Sequence, residues 1–417
     1  MVMTHMPDEI QNFPHLRNLQ CAPIKQQDDQ YIVLWDPAGL SPEKLILPLN
    51  YFYLVQFFDG EHSLEQIGGE YLKKFGEFLV PERLSNLVRE MEGKLFLEGK
   101  AVEEAKRKAQ EAYRQGPLRL PCFAGKSYEG ESESLRLQLE GFFNSKEGPG
   151  TNPSEHRGKK IRGMVVPHHE IREAGPIYAW AYKELQEVES PSVFVILGTC
   201  HAGLEHGFAV TDKDFAIPLG NIAVHRPIVD RLKTEGAYFF EEDRQHQHEH
   251  SVEFQLPFLQ YALGKTKPFT IVPILCSFPP GCLTEPELQP LSNDVETFVT
   301  LLQKVIGESG EEVCVIASAD LAHIGLRYGD QTPPTDFSFH RCLQTDLEML
   351  KHVENLDGKA FADFLVKEDD RRRVCGFSPI YTMLRIMKAE KGQVLRYDRA
   401  ITDQFNSTVT YASMVFF

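Results

Sequence analysis

From residue 118 onward the apolar residues of this chain fall into two alternating patterns. Short unbroken runs, which predict buried strands, alternate with longer stretches at three-to-four-residue spacing, which predict helices. The clearest unit spans Gly163 to His201. Gly163-Met-Val-Val166 and Val193-Phe-Val-Ile-Leu197 are the runs, and Ile177, Trp180, Ala181 and Leu185 recur between them at helical spacing. A strand–helix–strand unit of this kind makes its strands parallel neighbours. Each strand ends on a histidine, His168 and His201. Parallel strands leave a sheet at one edge, so the pair is expected to share the crevice beyond the strand carboxyl ends, where open α/β sheets place ligands. That suggests a metal or acid–base site. Phe269–Leu275, Glu312–Ala317 and the closing Ser407–Phe416 read as further strands, with helices at Ser132–Phe143 and near 225–235, 288–307, 339–353 and 379–388. The pattern is that of an α/β fold with a mixed sheet flanked by helices.

The pattern before residue 118 is different. Tyr31–Trp35 reads as a strand and Asp36-Pro37 as a turn, whereas 1–22 shows no clear periodicity. Leu45–Phe58 is a strongly apolar helix candidate. Ser63-Leu-Glu-Gln66 is a capping box opening a second helix with Leu64, Ile67, Tyr71, Leu72 and Phe75 on one face. Pro81 opens a third with Leu84, Leu87, Val88, Met91 and Leu95 inward. Phe96–Val102 looks like a small hairpin, and Glu103–Gln115 like a solvated helical linker ended by Gly116-Pro117. Two domains are therefore expected, 1–117 and 118–417, the first a small winged-helix-like α+β module.

Composition narrows the function. The 417 residues are 42% hydrophobic and 25% charged, ordinary for a globular protein, and carry a net charge of -16. Nucleic acid as the main partner is disfavoured, because neutralising phosphates needs clustered cations. No apolar run approaches the roughly 20 residues that span a bilayer, and the N-terminus lacks a signal-peptide pattern. The eight cysteines form no Cys-x-x-Cys pair, so reduced thiols in a cytoplasmic protein are expected.

Three further constellations could carry chemistry. His246-Gln-His248-Glu-His250-Ser-Val-Glu253 could chelate a metal as a strand, or be a polar loop entering a helix at Ser251. Asp320 and His323 follow a buried run and would share a face on a helical turn, where the carboxylate could orient the imidazole; an N-cap Asp beside an exposed His is an equal reading. Cys375 precedes Gly376-Phe-Ser378-Pro379, which reads as a helix start with Ser378 at the N-cap, and a thiol there is either inert packing or a dipole-favoured thiolate. Arg371-Arg372-Arg373 beside it is a solvated surface or an attraction for an anionic substrate.

Taken together, Pro-His168, Ile-Leu-Gly-Thr-Cys-His201, Glu-His250-Ser-Val-Glu253, Ser-Ala-Asp320-Leu-Ala-His323 and Val-Cys375-Gly-Phe-Ser-Pro resemble the Memo family, whose fold is that of the class III (LigB-type) extradiol dioxygenases. Phe123-Ala-Gly125-Lys-Ser-Tyr128 and Ser407-Thr-Val-Thr-Tyr411 fit the same family, and the resemblance covers about residues 119–417. It implies a metal site of His168, His201 and Cys375, with His323 at the position of the dioxygenases' acid–base histidine, and His250, Glu253 and Asp320 lining the pocket. Imidazole with thiolate suits copper or iron, and also zinc, and does not suit magnesium or calcium. A thiolate where the dioxygenases have a carboxylate makes their activity doubtful here, although an oxidoreductase role stays open. His169-Glu170-Ile171 departs from the Ala-Gly-Tyr of many Memo proteins. Upstream, Phe58-Asp59-Gly60-Glu-His-Ser63 resembles the PqqD-like modules that bind peptides for modifying enzymes. The pair suggests the AmmeMemoRadiSam system protein B type, which implies radical-SAM and AMMECR-like partners and, as the alternative to catalysis, a metal- or peptide-binding role.

Overall fold

The computed structural model describes residues 11–26, 29–189, 191–264 and 267–417, and the chain divides into two compact units, Met1–Gln115 and Gly116–Phe417. In the first unit β1 (Gln20–Gln26), β2 (Asp29–Trp35) and β3 (Lys44–Pro48) form an antiparallel sheet in the order β1-β2-β3. Four helices follow, α1 (Leu49–Val55), α2 (Leu64–Phe75), α3 (Pro81–Gly93) and α4 (Lys100–Gln115). The capping box at Ser63 forms as read: Ser63 Oγ accepts the Gln66 amide and Gln66 Oε1 accepts that of Ser63.

Two expectations for this unit fail. Residues 45–48 are a strand and not the start of a helix. Leu45 and Leu47 turn inward while Ile46 turns out, a period of two that lets them pair with β2, and Pro48 ends the strand. Residues 96–102 are not a hairpin. Phe96 and Leu97 are buried and Leu97 bridges Leu16, after which α4 begins at Lys100, where Lys-Ala-Val-Glu-Glu-Ala favours helix.

The second unit contains β4 (Leu118–Arg119), α5 (Ser132–Asn144), β5 (Gly163–Val166), α6 (Ile171–Glu187), β6 (Val193–Thr199), β7 (Phe208–Val210), β8 (Asp214–Ile217), β9 (Gly220–Ile222), α7 (Arg226–Glu235), α8 (His250–Glu253), α9 (Gln255–Leu263), β10 (Thr270–Cys276), α10 (Gln289–Ser309), β11 (Val313–Ser318), β12 (Asp320–Ile324), α11 (Asp336–Glu354), α12 (Gly358–Glu368), α13 (Phe377–Ile386), β13 (Gly392–Ile401) and β14 (Thr408–Phe416). Its main sheet has eight strands in the order β12-β14-β5-β11-β6-β10-β7, with β13 paired to β14. β5, β11, β6 and β10 are parallel, and β7, β12, β13 and β14 add antiparallel partners, so the sheet is mixed as expected. Every residue of β5 and β6 is buried, the signature of parallel strands covered on both faces.

The histidine-bearing strands β5 and β6 are not neighbours. β11 lies between them, pairing Val315–Ser318 with Gly163–Val166 on one side and Val313–Ser318 with Val193–Gly198 on the other. All three run the same way, so three strand ends meet at one edge. Two further local expectations are corrected. Asp320 and His323 sit on a strand, β12, and not on a helical turn, because β12 finds hydrogen-bonding partners on β14. The last helix before β13 starts at Phe377 with Gly376 as N-cap, two residues ahead of the Ser378 cap expected; Ser378 is buried. All eight cysteines are free thiols, and among the described residues no helix is long and apolar enough to cross a membrane.

Candidate metal centre

The three central strand ends supply the site. β5 runs into Pro167-His168, β6 into Cys200-His201 and β11 into Ala319-Asp320, while Cys375 arrives immediately before the N-cap of α13. His168 Nε2 lies 3.3 Å from Cys375 Sγ. The His168 and His201 rings are 5.0 Å apart at nearly a right angle. One ligand atom each from His168, His201 and Cys375 falls within 4.8 Å of the others, so the three form a group able to hold a metal ion.

The hydrogen bonds around the imidazoles decide which nitrogens are free. His168 Nδ1 is 3.0 Å from the Ser318 carbonyl, which only accepts, so Nδ1 carries the proton and Nε2 the lone pair. His201 Nδ1 is 3.0 Å from Glu249 Oε2, which frees its Nε2 in the same way. Burial pushes His168 down to about 3, leaving it neutral and ready to ligate. Burial would lower His201 too, but the adjacent Glu249 carboxylate outweighs it and raises the pKa. A carboxylate or carbonyl behind each metal-facing histidine is the usual supporting shell of a metal site.

Glu249 carries much of that support, and its role was not legible in the sequence. Besides the His201 ring, its carboxylate accepts the backbone amides of His201 (2.8 Å), His250 (2.8 Å) and Ser251 (3.1 Å), and sits 3.0 Å from His250 Nδ1. Burial favours its protonated form, yet His201 and His250 hold it well below the usual carboxylate range. The only local hint is a Glu between two histidines at a helix N-cap position. Glu249→Gln keeps the shape and removes the charge behind His201. It is expected to weaken metal binding by about 10–100-fold, read by competition with a chromophoric chelator; unchanged affinity would dismiss Glu249 as a positioning residue.

The frame is held by buried polar groups. Asp320 Oδ1 accepts the amides of His168 (2.9 Å) and His169 (3.1 Å), fixing the turn after β5. Burial would raise its carboxyl, but His168, His169 and His323 keep the pKa lowered. Gln255 donates to Pro167 O and to Ser318 Oγ, Ser318 donates to Ser251 O, and Ser251 donates to Thr199 O. The ends of β5, β11 and β6 are thereby tied together through α8 and α9. Two glycines permit close approach. A Cβ at Gly198 would lie 2.5 Å from Ser251 Oγ, and one at Gly376 would lie 2.4 Å from Asp320 O. Burial pushes the Cys375 thiol well up, against the lowering expected from its helix-start position; a bound cation would reverse that balance.

The donor set passes a simple test of fit. Ligands ~2.0–2.3 Å from one ion stand roughly 3.3–3.7 Å apart in a tetrahedral site, and the His168–Cys375 pair already has such a spacing. His201 is partly exposed and Cys375 half-buried, so the group opens on one side. His250 joins the cluster, its ring 4.9 Å from His201 and 5.4 Å from His168. His201, Glu249 and His250 form a second metal-competent group, but the carboxylate is at hydrogen-bond distance from both rings and orients them.

His323 Nδ1 faces two carbonyls, Leu321 O and Arg373 O, each at 3.1 Å. Nδ1 must therefore donate and Nε2 accept. Burial lowers its pKa to about 4, and Asp320, His201 and His169 are near enough to influence it. His169 stacks on Tyr411 and meets Glu173 at 3.0 Å, outside the ligand group.

Glu253 does not line the pocket. It is fully buried and accepts from Arg119, Tyr128 Oη (2.6 Å) and the amides of Cys122 (3.0 Å) and Phe123 (2.9 Å), so it anchors the 119–128 segment. The three alternating histidines do not converge either, because 243–247 is a 3-10 turn and His250 begins α8. His246 is buried with Nε2 3.1 Å from Ala209 O and is pushed down to about 3 by burial. It stays neutral in the fold while an unfolded chain protonates near 6.5. Stability from this group is therefore complete above that pH and lost as pH falls toward 3, by up to ~1.4 kcal/mol per pH unit. Denaturant titrations at pH 7 and 5 are expected to show a shallower loss in His246→Gln than in the parent; parallel losses would exclude His246 as a source.

The family model of Memo-like proteins matches residues 119–415. A MEMO1 family protein of Aquifex aeolicus is 25% identical over 401 residues, covering 94% of this chain and 98% of its own length. MEMO1 family proteins of Methanopyrus kandleri and Sulfolobus acidocaldarius are 29% and 30% identical, each over 72% of this chain and 98% and 99% of their own lengths.

Proposed function

This chain belongs to the Memo-like protein family, and on that premise we propose that His168, His201 and Cys375 hold one copper or iron ion used for redox chemistry on a small substrate. The observation that carries the reading is the pair of fixed imidazole tautomers, each backed by an acceptor, with both Nε2 atoms free beside a thiol. Two imidazoles and a thiolate favour copper, iron or zinc over magnesium and calcium. Bound there, copper or iron would supply one-electron chemistry.

The chain's own groups have separable roles. Asp320 holds the His168 turn, Glu249 aims His201, and His323 offers a neutral Nε2 to take a proton at ordinary pH. No step is assigned to the first unit, because archaeal relatives match over almost their whole length while covering 72% of this chain. The test is anaerobic loading with Cu(I), Fe(II) and Zn(II) in competition, followed by desalting, metal analysis and alkylation of Cys375. About one copper or iron per chain, with the thiol protected, is expected. Retention of zinc alone, or of nothing, would remove the redox role.

A further inference from the structure

A cavity of about 600 Å³ lies between β12, the first half of α11, the end of α12 and the 371–372 segment, and none of the metal-centre residues lines it. That volume is within the ~300–1,000 Å³ usual for small-molecule sites. Four cations line it, Arg341, Lys367, Arg371 and Arg372. Arg372 is neutralised by Asp346 and Glu368, and the lining carboxylate of Asp330 is taken by Arg373 at 2.9 Å. Arg341, Lys367 and Arg371 have no ion-pair partner among the described residues, on a chain with a net charge of -16. Ile324, Phe364 and two prolines give the same cavity an apolar wall. Unpaired like charges around one hollow repel each other and concentrate anions there.

We infer that this cavity binds a small organic anion, a phosphate monoester or a carboxylate carrying an apolar tail. The cations meet the head group and the apolar wall takes the tail. The site is independent of any ion at the metal centre.

Calorimetry on the full chain with hexyl phosphate, hexanoate and hexanol tests the inference. Saturable binding of one or both anions, weakening as salt is raised and absent for hexanol, is expected; which anion binds more tightly identifies the head group. The triple variant R341Q/K367Q/R371Q removes only exposed, unpaired charges and is expected to melt like the parent while binding the anion at least about tenfold more weakly. Cys375→Ser is expected to bind it unchanged. No saturable binding of either anion at millimolar concentration, equal binding by the triple variant, or loss of binding in Cys375→Ser would overturn the inference, the last by placing the anion at the metal centre.

Discussion

His201→Ala and Cys375→Ser are each expected to leave a folded chain that no longer retains copper or iron through desalting, where the parent keeps about one ion. The size of the effect follows from the donor count. Metal sites with an open position are commonly built on three protein ligands, and losing one leaves only two donors. The fold should survive, because His201 is partly exposed and Cys375 half-buried, and neither belongs to the continuous core of β5, β6 and β11. His168 is a poorer choice for this experiment. It is buried and its ring bonds to Ser318 O, so its removal mixes lost ligation with a cavity. Undiminished metal retention in both His201→Ala and Cys375→Ser would eliminate the site.

Arg119→Met is expected to destabilise the second unit by about 3–5 kcal/mol, the usual cost of removing one member of a buried ion pair. Arg119 and Glu253 are both buried and lie 134 positions apart in the chain. Arg119 also donates to the carbonyls of Leu120 (2.8 Å), His246 (2.7 Å) and Glu249 (2.9 Å), all of which lose a donor in the variant. Glu253 keeps Tyr128 and two amides, which points to the lower end of the range. Since Glu249 also positions His201, metal affinity should fall together with stability. A urea midpoint equivalent to less than about 1 kcal/mol of change would contradict this account.

Both effects depend on contacts that differ in how visible they are in the sequence. His168 and His201 could be read as strand-end residues because an apolar run and its end are local features. Cys375 could be placed just ahead of a helix because Ser378 and Pro379 read as its start. Glu253 stood out for its type and motif, and the same view sent it to the wrong place. A buried carboxylate goes where its donors are, and the strongest of them, Arg119, lies near the start of the unit. Glu249 passed unnoticed because its work is done across a loop on His201, 48 positions away.

By itself, then, the sequence determined the alternation of strands and helices, the mixed α/β class and the motif residues at the ends of elements, because hydrophobic period and turn chemistry act over a few residues. Tertiary structure alone decided that β11 enters between β5 and β6, that Asp320 and His323 ride on a strand beside β14, and that Glu249 rather than Glu253 stands behind the candidate ligand His201. Those outcomes follow from strand pairing and from the demand that buried charges find partners, which are settled between segments far apart in the chain.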